Sequence, residues 1–200
     1  MIDLPTADGG WKVILADPPW HHASRSPKGQ TRRSPSHHYR TMALPEIMAL
    51  PVRDIAARDC HLFLWTTGPH LQQAFRVMEA WGFRYSSLAF VWVKRRKQPD
   101  ADHDGLLFMD RRDLFTGMGY TTRQNAELVL LGRRGSPKRL AKDVHQVIAA
   151  PRQEHSRKPG EVHSRIERYS VGPRLELFAR APVEGWTVWG NETDKFAEAA

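Results

Sequence analysis

Short apolar runs bounded by turn residues alternate with segments of helical periodicity along most of this chain. Two segments have the spacing of a helix face: 71–81, which follows Pro69 and ends before Gly82, and 162–169, which follows Pro159. The apolar runs are 12–17, 60–66, 85–94, 127–132, 147–150, 175–179 and 186–189. Strands that alternate with helices in this way predict an α/β fold, in which helices cover a layered sheet.

Composition limits the size and the partners of this fold. The chain has 200 residues, of which 40% are hydrophobic and 26% charged, and this composition fits one globular domain over residues 1–200. Its formal net charge is +8, and so basic a balance favours a polyanionic partner such as nucleic acid. A membrane surface is less favoured, because the sequence has no basic amphipathic helix and no apolar run long enough to span a bilayer.

Cysteine and histidine usage argues against a disulfide or a metal site. Cys60 is the only cysteine and lies in an apolar run, so we interpret it as a buried hydrophobic residue. The first residues lack the features of a signal peptide, and we expect a cytoplasmic protein. The histidine pairs 21–22 and 37–38 lie in a basic segment without a C-x-x-C partner, so we predict no metal ligand there.

The tetrapeptide Asp17-Pro18-Pro19-Trp20 directly follows the first apolar run. In open α/β sheets, ligands bind beyond the carboxyl ends of the strands, which is where such a segment lies. A structural interpretation is also open: a proline turn with a capping Asp17 and a packed Trp20. The catalytic hypothesis for all four residues depends on the chemistry of the adenine amino group.

The adenine amino group is a poor nucleophile, because its lone pair is delocalised into the ring. A carboxylate at Asp17 and the backbone carbonyl of Pro18 can each accept one of its N–H bonds and so localise that lone pair. Trp20 offers a flat face on which an extruded base can stack. The sequence therefore predicts a site that prepares an aromatic amine for methyl transfer.

Several segments, from about Lys12 to Glu192, resemble the adenine-N6 methyltransferases of the MTA type, which carry D-P-P-W after a strand. This family includes eukaryotic messenger-RNA enzymes and bacterial and phage enzymes. The matching segments, besides the tetrapeptide, are 63–68 (FLWTTG), 119–127, 155–159 (HSRKP), 166–168, 174–180 (RLELFAR), 185–186 and 189–192. The resemblance implies a Rossmann-like methyltransferase domain of three layers with permuted motif order, which uses S-adenosyl-L-methionine. The absence of G-x-G-x-x-G after a strand fits this permuted order.

The resemblance also implies roles for individual residues. Substrate contacts are expected from Tyr39, Arg40, Arg123 and Glu127. Glu and Asn side chains suit ribose hydroxyls, while Arg or Lys suit the methionyl carboxylate. The implied cofactor-binding residues are Asp17, Ser156, Lys158, Glu176, Phe178, Arg180, Asn191 and Glu192. The eukaryotic enzymes also have an acidic residue on an earlier strand that holds the cofactor adenine, and only Asp3 or Asp8 is available to replace it here.

Three basic segments are candidates for contact with the nucleic acid. We interpret residues 21–44 as an active-site loop, and 97–118 and 133–146 as nucleic-acid-binding loops around one sheet edge. DNA is the favoured substrate over RNA, because a single compact domain resembles the bacterial and phage members. Two alternatives stay open: a catalytically inactive nucleic-acid-binding subunit, and a methyltransferase for proteins or small molecules. A homodimer, or a heterodimer with a related subunit, is compatible with the resemblance.

Overall fold

The computed structural model of the chain describes residues 2–21, 41–96, 114–115, 117, 122–153, 157–191 and 193. Much of the predicted active-site loop and most of the 97–118 loop lie outside these residues. The described part contains seven strands in one sheet and four α-helices. The predicted α/β class and Rossmann-like architecture are confirmed.

The seven strands correspond to the seven apolar runs of the sequence. They are β1 (Trp11–Ala16), β2 (Ala56–Thr66), β3 (Arg84–Arg95), β4 (Ala126–Arg134), β5 (Val147–Pro151), β6 (Arg174–Leu177) and β7 (Thr187–Trp189). Their order across the sheet is β5-β3-β4-β2-β1-β6-β7. β4 is antiparallel to both its neighbours, while all the other pairs are parallel. The six parallel strands therefore end at one edge of the sheet, which we call the carboxyl edge, and β4 begins there.

Helices cover both faces of the sheet and form its three layers. α1 (Leu44–Met48), α2 (Val52–Ile55) and α3 (Leu71–Ala80) contribute to one core cluster, and α4 (Glu161–Tyr169) contributes to the other. β1 shows how one strand serves both clusters, since Ile14 and Ala16 face α3 while the alternate residues Val13 and Leu15 face α4. Burial on both faces explains why β1 appears in the sequence as a continuous apolar run.

The helices α3 and α4 were predicted, whereas α1 and α2 were not. α1 spans five residues and α2 four, which is too short for a helical period to appear in the sequence. α1 begins with a proline in its first turn, and the Glu46 carboxylate accepts a hydrogen bond from the Ala43 amide at 2.7 Å. These two helices carry the chain from the region of Trp20 to the start of β2.

Candidate active site

The turn Asp17-Pro18-Pro19-Trp20 leaves β1 at the carboxyl edge, as predicted. The Asp17 amide donates to the Leu177 carbonyl of the neighbouring β6 at 3.4 Å, and the Trp20 amide closes the turn on the Pro18 carbonyl at 2.8 Å. The Met42 amide donates to the Pro19 carbonyl at 3.0 Å. A carbonyl oxygen has two lone pairs, so the Pro18 carbonyl keeps capacity for a second donor.

A chain of alternating charges runs beside this turn. The Lys158 ammonium lies 2.6 Å from Asp17 Oδ2 and 3.3 Å from Glu127 Oε2, and Lys94 binds the other oxygen of Glu127. Each of the four side chains is less than one fifth exposed. Two ammonium groups therefore balance two carboxylates in a partly buried network, which we call the charge network.

Strand direction explains how the charge network assembles. Glu127 is the second residue of β4. Because β4 is antiparallel to its neighbours, Glu127 lies at the carboxyl edge, where it pairs in register with Trp92 of β3. Lys94 follows near the end of β3. Burial alone would raise the pKa of the Glu127 carboxyl, but Lys158 and Lys94 outweigh it and hold that pKa below its usual value. Glu127 is therefore a carboxylate at neutral pH.

Trp20 packs inward rather than presenting an open face. Its side chain is 6% exposed, its indole N–H donates to the Trp65 carbonyl at 3.2 Å, and its ring stacks on His70 with 5.7 Å between centroids. The prediction that Trp20 offers a platform for an extruded base therefore disagrees with the structure, because His70 covers one face and the core surrounds the ring. Its place in the catalytic tetrapeptide stays a prediction.

His70 is the polar partner that fixes Trp20 and the next residue. Its Nε2–H donates to the His21 carbonyl at 3.3 Å, and its Nδ1 accepts from the Thr67 hydroxyl at 2.9 Å. Burial lowers the pKa of His70 more than the His21 carbonyl raises it. The neutral tautomer with the proton on Nε2 satisfies all these contacts.

A cavity of about 1010 Å³ opens on the other side of Pro19. Its described lining comes from three parts of the chain: 2–3 before β1, Pro19 and Met42 with Glu46, Ala49 and Pro51, and the ends of β6 and β7 at 178–180 and 189–191. Asp17 and Lys158 are not among these lining residues, but Pro19 joins the cavity to the turn. The volume suits a nucleoside-sized ligand that carries an additional chain.

The ends of β6 and β7 form one wall of the cavity, and their main chains pack closely against each other. The Ala179 amide donates to the Trp189 carbonyl at 3.0 Å, and a Cβ atom on Gly190 would lie 2.4 Å from the Ala179 carbonyl oxygen. Phe178 adopts a left-handed backbone conformation, with φ of 64°, and its ring meets Trp189 edge-on. Strained non-glycine residues are often found where a ligand is held, so this wall is a candidate binding surface.

The cavity contains some of the predicted cofactor residues but not all of them. Phe178, Arg180 and Asn191 line it, and so does Asp3, whereas Asp8 does not. Glu176 is not among the lining residues and faces α4, where the His163 Nε2–H donates to its carboxylate at 2.8 Å, so its cofactor role stays a prediction. The cause is strand alternation: the flanking leucines of β6 face the cavity side of the sheet, so Glu176 points the opposite way.

Other predicted residues lie elsewhere or outside the described part of the chain. Tyr39, Arg40, Ser156 and Glu192 are not among the described residues. Arg123 is exposed just before β4 begins, and thus near the carboxyl edge.

The basic turn 133–139 was predicted to share one edge with the active site, and this is wrong. Arg133 pairs with Arg84 at the start of β3, so the reversed β4 carries the turn to the opposite edge of the sheet.

Two residues of the site were missed by the sequence analysis. Lys94 was included only as the last residue of the apolar run 85–94 and was given no role, although that position places it at the carboxyl edge. His70 carried no motif, and a single histidine at the start of a helix gives no signal of its contacts.

Among the described residues no group of three His, Cys, Asp or Glu side chains is placed to hold a metal ion. None of the described helices is long and apolar enough to cross a membrane.

Comparison with known proteins gives a consistent result. The family model described as MT-A70 matches residues 11–192. The type II methyltransferase M.MunI of Mycoplasma sp is 32% identical over 199 residues, which covers 91% of this chain and 77% of that protein. The N(6)-adenosine-methyltransferase catalytic subunit METTL3 of Homo sapiens is 28% identical over 191 residues, which covers 93% of this chain and 29% of that protein. A Medicago truncatula protein named as a putative N(6)-adenosine-methyltransferase is 31% identical over 188 residues, covering 92% of this chain and 26% of that protein.

Proposed function

Because the chain belongs to the MT-A70 family, we propose that it is an S-adenosylmethionine-dependent enzyme that methylates the N6 atom of adenine in DNA. One observation carries this proposal: the Asp17 carboxylate and the Pro18 carbonyl lie together in a turn that is fixed between the charge network and the cavity. These two acceptors match the two N–H bonds of an adenine amino group.

The cavity fits S-adenosylmethionine by chemistry as well as by volume. Asp3 is a carboxylate acceptor suited to an exocyclic amine of the cofactor, while Arg180 and Asn191 suit its carboxylate and hydroxyl groups. Phe178 and Trp189 supply apolar surface. The bound cofactor would supply an electrophilic methyl group on a sulfonium sulfur, beside Pro19.

The charge network prepares the acceptor side of the reaction. Lys158 holds the Asp17 carboxylate in position at 2.6 Å, and Glu127 in turn holds Lys158. The amine donates its two N–H bonds to Asp17 and Pro18, which localises its lone pair on nitrogen. As the nitrogen takes the methyl group, the bond from the methyl carbon to the cofactor sulfur would break with its electron pair leaving on sulfur, and the nitrogen would then lose one proton to solvent. Asp17 therefore acts by accepting a hydrogen bond and by orientation, and it does not need to be a strong base.

One observation favours DNA over RNA as the substrate, and the charge of the protein suits either nucleic acid. The relative named as a type II methyltransferase is matched over 77% of its length, whereas the chain spans only about a quarter of the plant and animal relatives named as adenosine methyltransferases. The net charge of +8 suits a polyanion, and an adenine in a duplex must be flipped out to reach the turn.

The charge network also opposes the alternative of a catalytically inactive subunit. Four ionised groups held together below the surface are costly to maintain unless they serve a site. Lys158 and Glu127, which position Asp17, are both present, and Pro19 of the turn lines the cavity.

The test uses a long DNA fragment of mixed sequence and RNA transcribed from it. Each is incubated with methyl-labelled S-adenosylmethionine, and the nucleosides are identified by mass spectrometry. We expect N6-methyladenine in DNA, loss of the product in Asp17→Asn, and wild-type yield in Asp54→Asn, whose carboxylate is exposed on α2. Methylation of RNA alone would contradict the assignment of DNA, and cofactor binding without methylation of either would favour the inactive subunit.

A further inference from the structure

The main chain of the catalytic turn has few ways to be tethered. Pro18 and Pro19 have no N–H groups, so neither can donate a hydrogen bond to the rest of the protein. The Pro18 carbonyl is the group that the proposed function needs, whereas the Pro19 carbonyl accepts from the Met42 amide at 3.0 Å and tethers the middle of the turn. The other tethers are at the two ends of the turn, on either side of the prolines.

The two ends are fixed in different ways. At the start, the Asp17 amide donates to the Leu177 carbonyl, which ties the turn to the sheet. At the other end, the Trp20 indole N–H donates to the Trp65 carbonyl at 3.2 Å, and the His21 carbonyl accepts from His70 at 3.3 Å. The last contact fixes the carbonyl of His21, the residue that follows Trp20.

His70 is suited to holding the end of the turn because each of its two ring nitrogens has a hydrogen-bond partner. The side chain is 4% exposed, its ring stacks on Trp20 with 17° between the planes, and Thr67 fixes its tautomer from the end of β2. An apolar residue of similar size would fill the same space but would leave the His21 carbonyl and the Thr67 hydroxyl without these partners. Losing these two partly buried hydrogen bonds costs free energy that an apolar ring cannot recover, so the site favours a hydrogen-bonding ring.

We propose that His70 is a positioning residue, which holds the end of the catalytic turn through its hydrogen bond to the His21 carbonyl and so aligns the Pro18 carbonyl and Asp17 with the substrate amine. This inference rests on the proposed function. Of the thirteen described lining residues of the cavity, only Pro19 belongs to the turn, and six lie around Phe178 and Gly190. Loss of His70 is therefore expected to impair the rate of methyl transfer more than it weakens cofactor binding.

The kinetic test compares three substitutions at this position. We expect His70→Ala to lower kcat about 10–100-fold, since small misalignments of reacting groups have effects of this size, while the Kd for S-adenosylmethionine changes by less than about threefold. His70→Gln keeps a donor for the His21 carbonyl, and its kcat should be at least about tenfold higher than that of His70→Ala. His70→Phe fills the space and stacks on Trp20 but donates nothing, so it should recover less. If Phe restores kcat as well as Gln, or if Ala retains the wild-type kcat, the proposal is wrong.

A buried histidine at another place provides the matched control. His61 is 2% exposed and is bonded to the Ser170 hydroxyl, away from the turn. His61→Gln should lower the melting temperature as His70→Gln does, yet leave kcat per folded molecule unchanged. An equal loss of kcat in both would show that general destabilisation is responsible, and would overturn the role of His70.

A second measurement does not depend on methylation. The Met42 amide and the Trp20 indole N–H report the position of the turn, because they donate to the Pro19 and Trp65 carbonyls. Hydrogen exchange at both should accelerate in His70→Ala and stay at the wild-type rate in His61→Gln. Unchanged exchange in His70→Ala would refute the anchoring itself. If anchoring is confirmed but the wild-type protein methylates neither DNA nor RNA, the proposed function fails instead.

Discussion

The Lys158 ammonium lies 2.6 Å from the Asp17 carboxylate, although 141 residues separate them in sequence. Asp17 leaves β1, and Lys158 lies shortly before α4, whose residues Val162 and Ile166 pack on the face of the sheet that β1 helps to form. The fold therefore brings an early and a late motif together at the carboxyl edge. The ion pair links the catalytic turn to Glu127 and hence to β4.

Replacing Lys158 by Met should leave two carboxylates without the ammonium group that separates them. Repulsion between Asp17 and Glu127 would then favour protonation of one of them and displace Asp17 from the substrate amine. We expect kcat to fall about 10²–10³-fold, and the free energy of unfolding to fall by about 2 kcal/mol, less than for a fully buried pair. Rates of DNA methylation and chemical denaturation measure the two effects.

Lys138→Met is the matched control for this substitution, because Lys138 is exposed in the turn at the opposite edge of the sheet. Lys138→Met should change neither kcat nor the free energy of unfolding measurably. Lys158→Arg keeps the charge but not the compact shape of the ammonium, and should restore stability more than activity. Wild-type methylation by Lys158→Met would exclude the charge network from the mechanism.

Gly190→Ala should disrupt the wall between β6 and β7. The added Cβ would lie 2.4 Å from the Ala179 carbonyl oxygen, and its three nearest atoms, in Ala179 and Phe178, are all main-chain atoms that cannot rotate away. We expect a loss of stability of about 1–3 kcal/mol and markedly weaker cofactor binding by calorimetry. Gly160→Ala is the control, since its Cβ would meet nothing within 4 Å and its φ of −60° is ordinary, so both quantities should stay near wild type.

Asp3 and Asp8 provide a direct comparison for recognition of the cofactor adenine. Both are exposed acidic residues before β1, but only Asp3 is among the described residues that line the cavity. Asp3→Asn should weaken S-adenosylmethionine binding about tenfold, the size expected when one charge-assisted hydrogen bond is weakened. Asp8→Asn should bind like the wild type. Equal Kd values for the two variants and the wild type would remove Asp3 from the site.

The sequence predicted the positions of the strands and of the catalytic turn, but not the direction of each strand. The apolar run at 127–132 has no feature that distinguishes an antiparallel strand from a parallel one. Its reversal brought Glu127 into the charge network and carried Arg133 to the other edge. The unpredicted antiparallel direction of β4 therefore explains both why Glu127 joins the charge network and why the turn after Arg133 was predicted at the wrong edge.

Two other differences have different causes. The position of Glu176 was open to prediction, because strand alternation in RLEL puts the glutamate opposite the leucines. The contacts of Trp20 were not, since they depend on His70, which packs against it from 50 residues away in the chain. Local patterns determine which face a strand residue occupies, while long-range packing determines which groups meet.

Stability should fall in mild acid, because the buried His61 stays neutral in the folded state. Burial, aided by Arg133, lowers the pKa of His61 from 6.5 to about 4. The unfolded chain therefore binds a proton at this residue below about pH 6.5, whereas the folded protein does so only near pH 4. The stability present above pH 6.5 is lost as the pH falls through this window, by up to about 3 kcal/mol.

Chemical denaturation between pH 7.5 and 4.5 measures this dependence. In His61→Gln the slope should be smaller, although not zero, because burial also lowers the pKa of His70 and acts in the same direction. An unchanged slope in His61→Gln would show that other groups cause the acid sensitivity.

Substitution of arginines at the two edges of the sheet can distinguish direct contact with DNA from an effect of the protein's net positive charge. Arg96 and Arg152 are exposed at the carboxyl ends of β3 and β5, where the Arg152 amide donates to the Arg95 carbonyl at 3.2 Å. Arg133 and Arg139 are equally exposed but lie in the turn at the opposite edge. In the proposed function a flipped adenine enters at the carboxyl edge, so we expect only the first pair to lie beside the phosphates that flank it.

The double variant Arg96→Gln/Arg152→Gln should therefore bind DNA more weakly and lower the salt dependence of log K by about 2, or roughly one for each phosphate contact removed. Arg133→Gln/Arg139→Gln changes the net charge by the same amount and should leave both quantities close to wild type. Fluorescence anisotropy over a salt series measures them with a labelled duplex. Equal losses in the two double variants would mean that DNA responds only to the net charge of the protein, and the carboxyl edge would lose its claim as the DNA-facing surface.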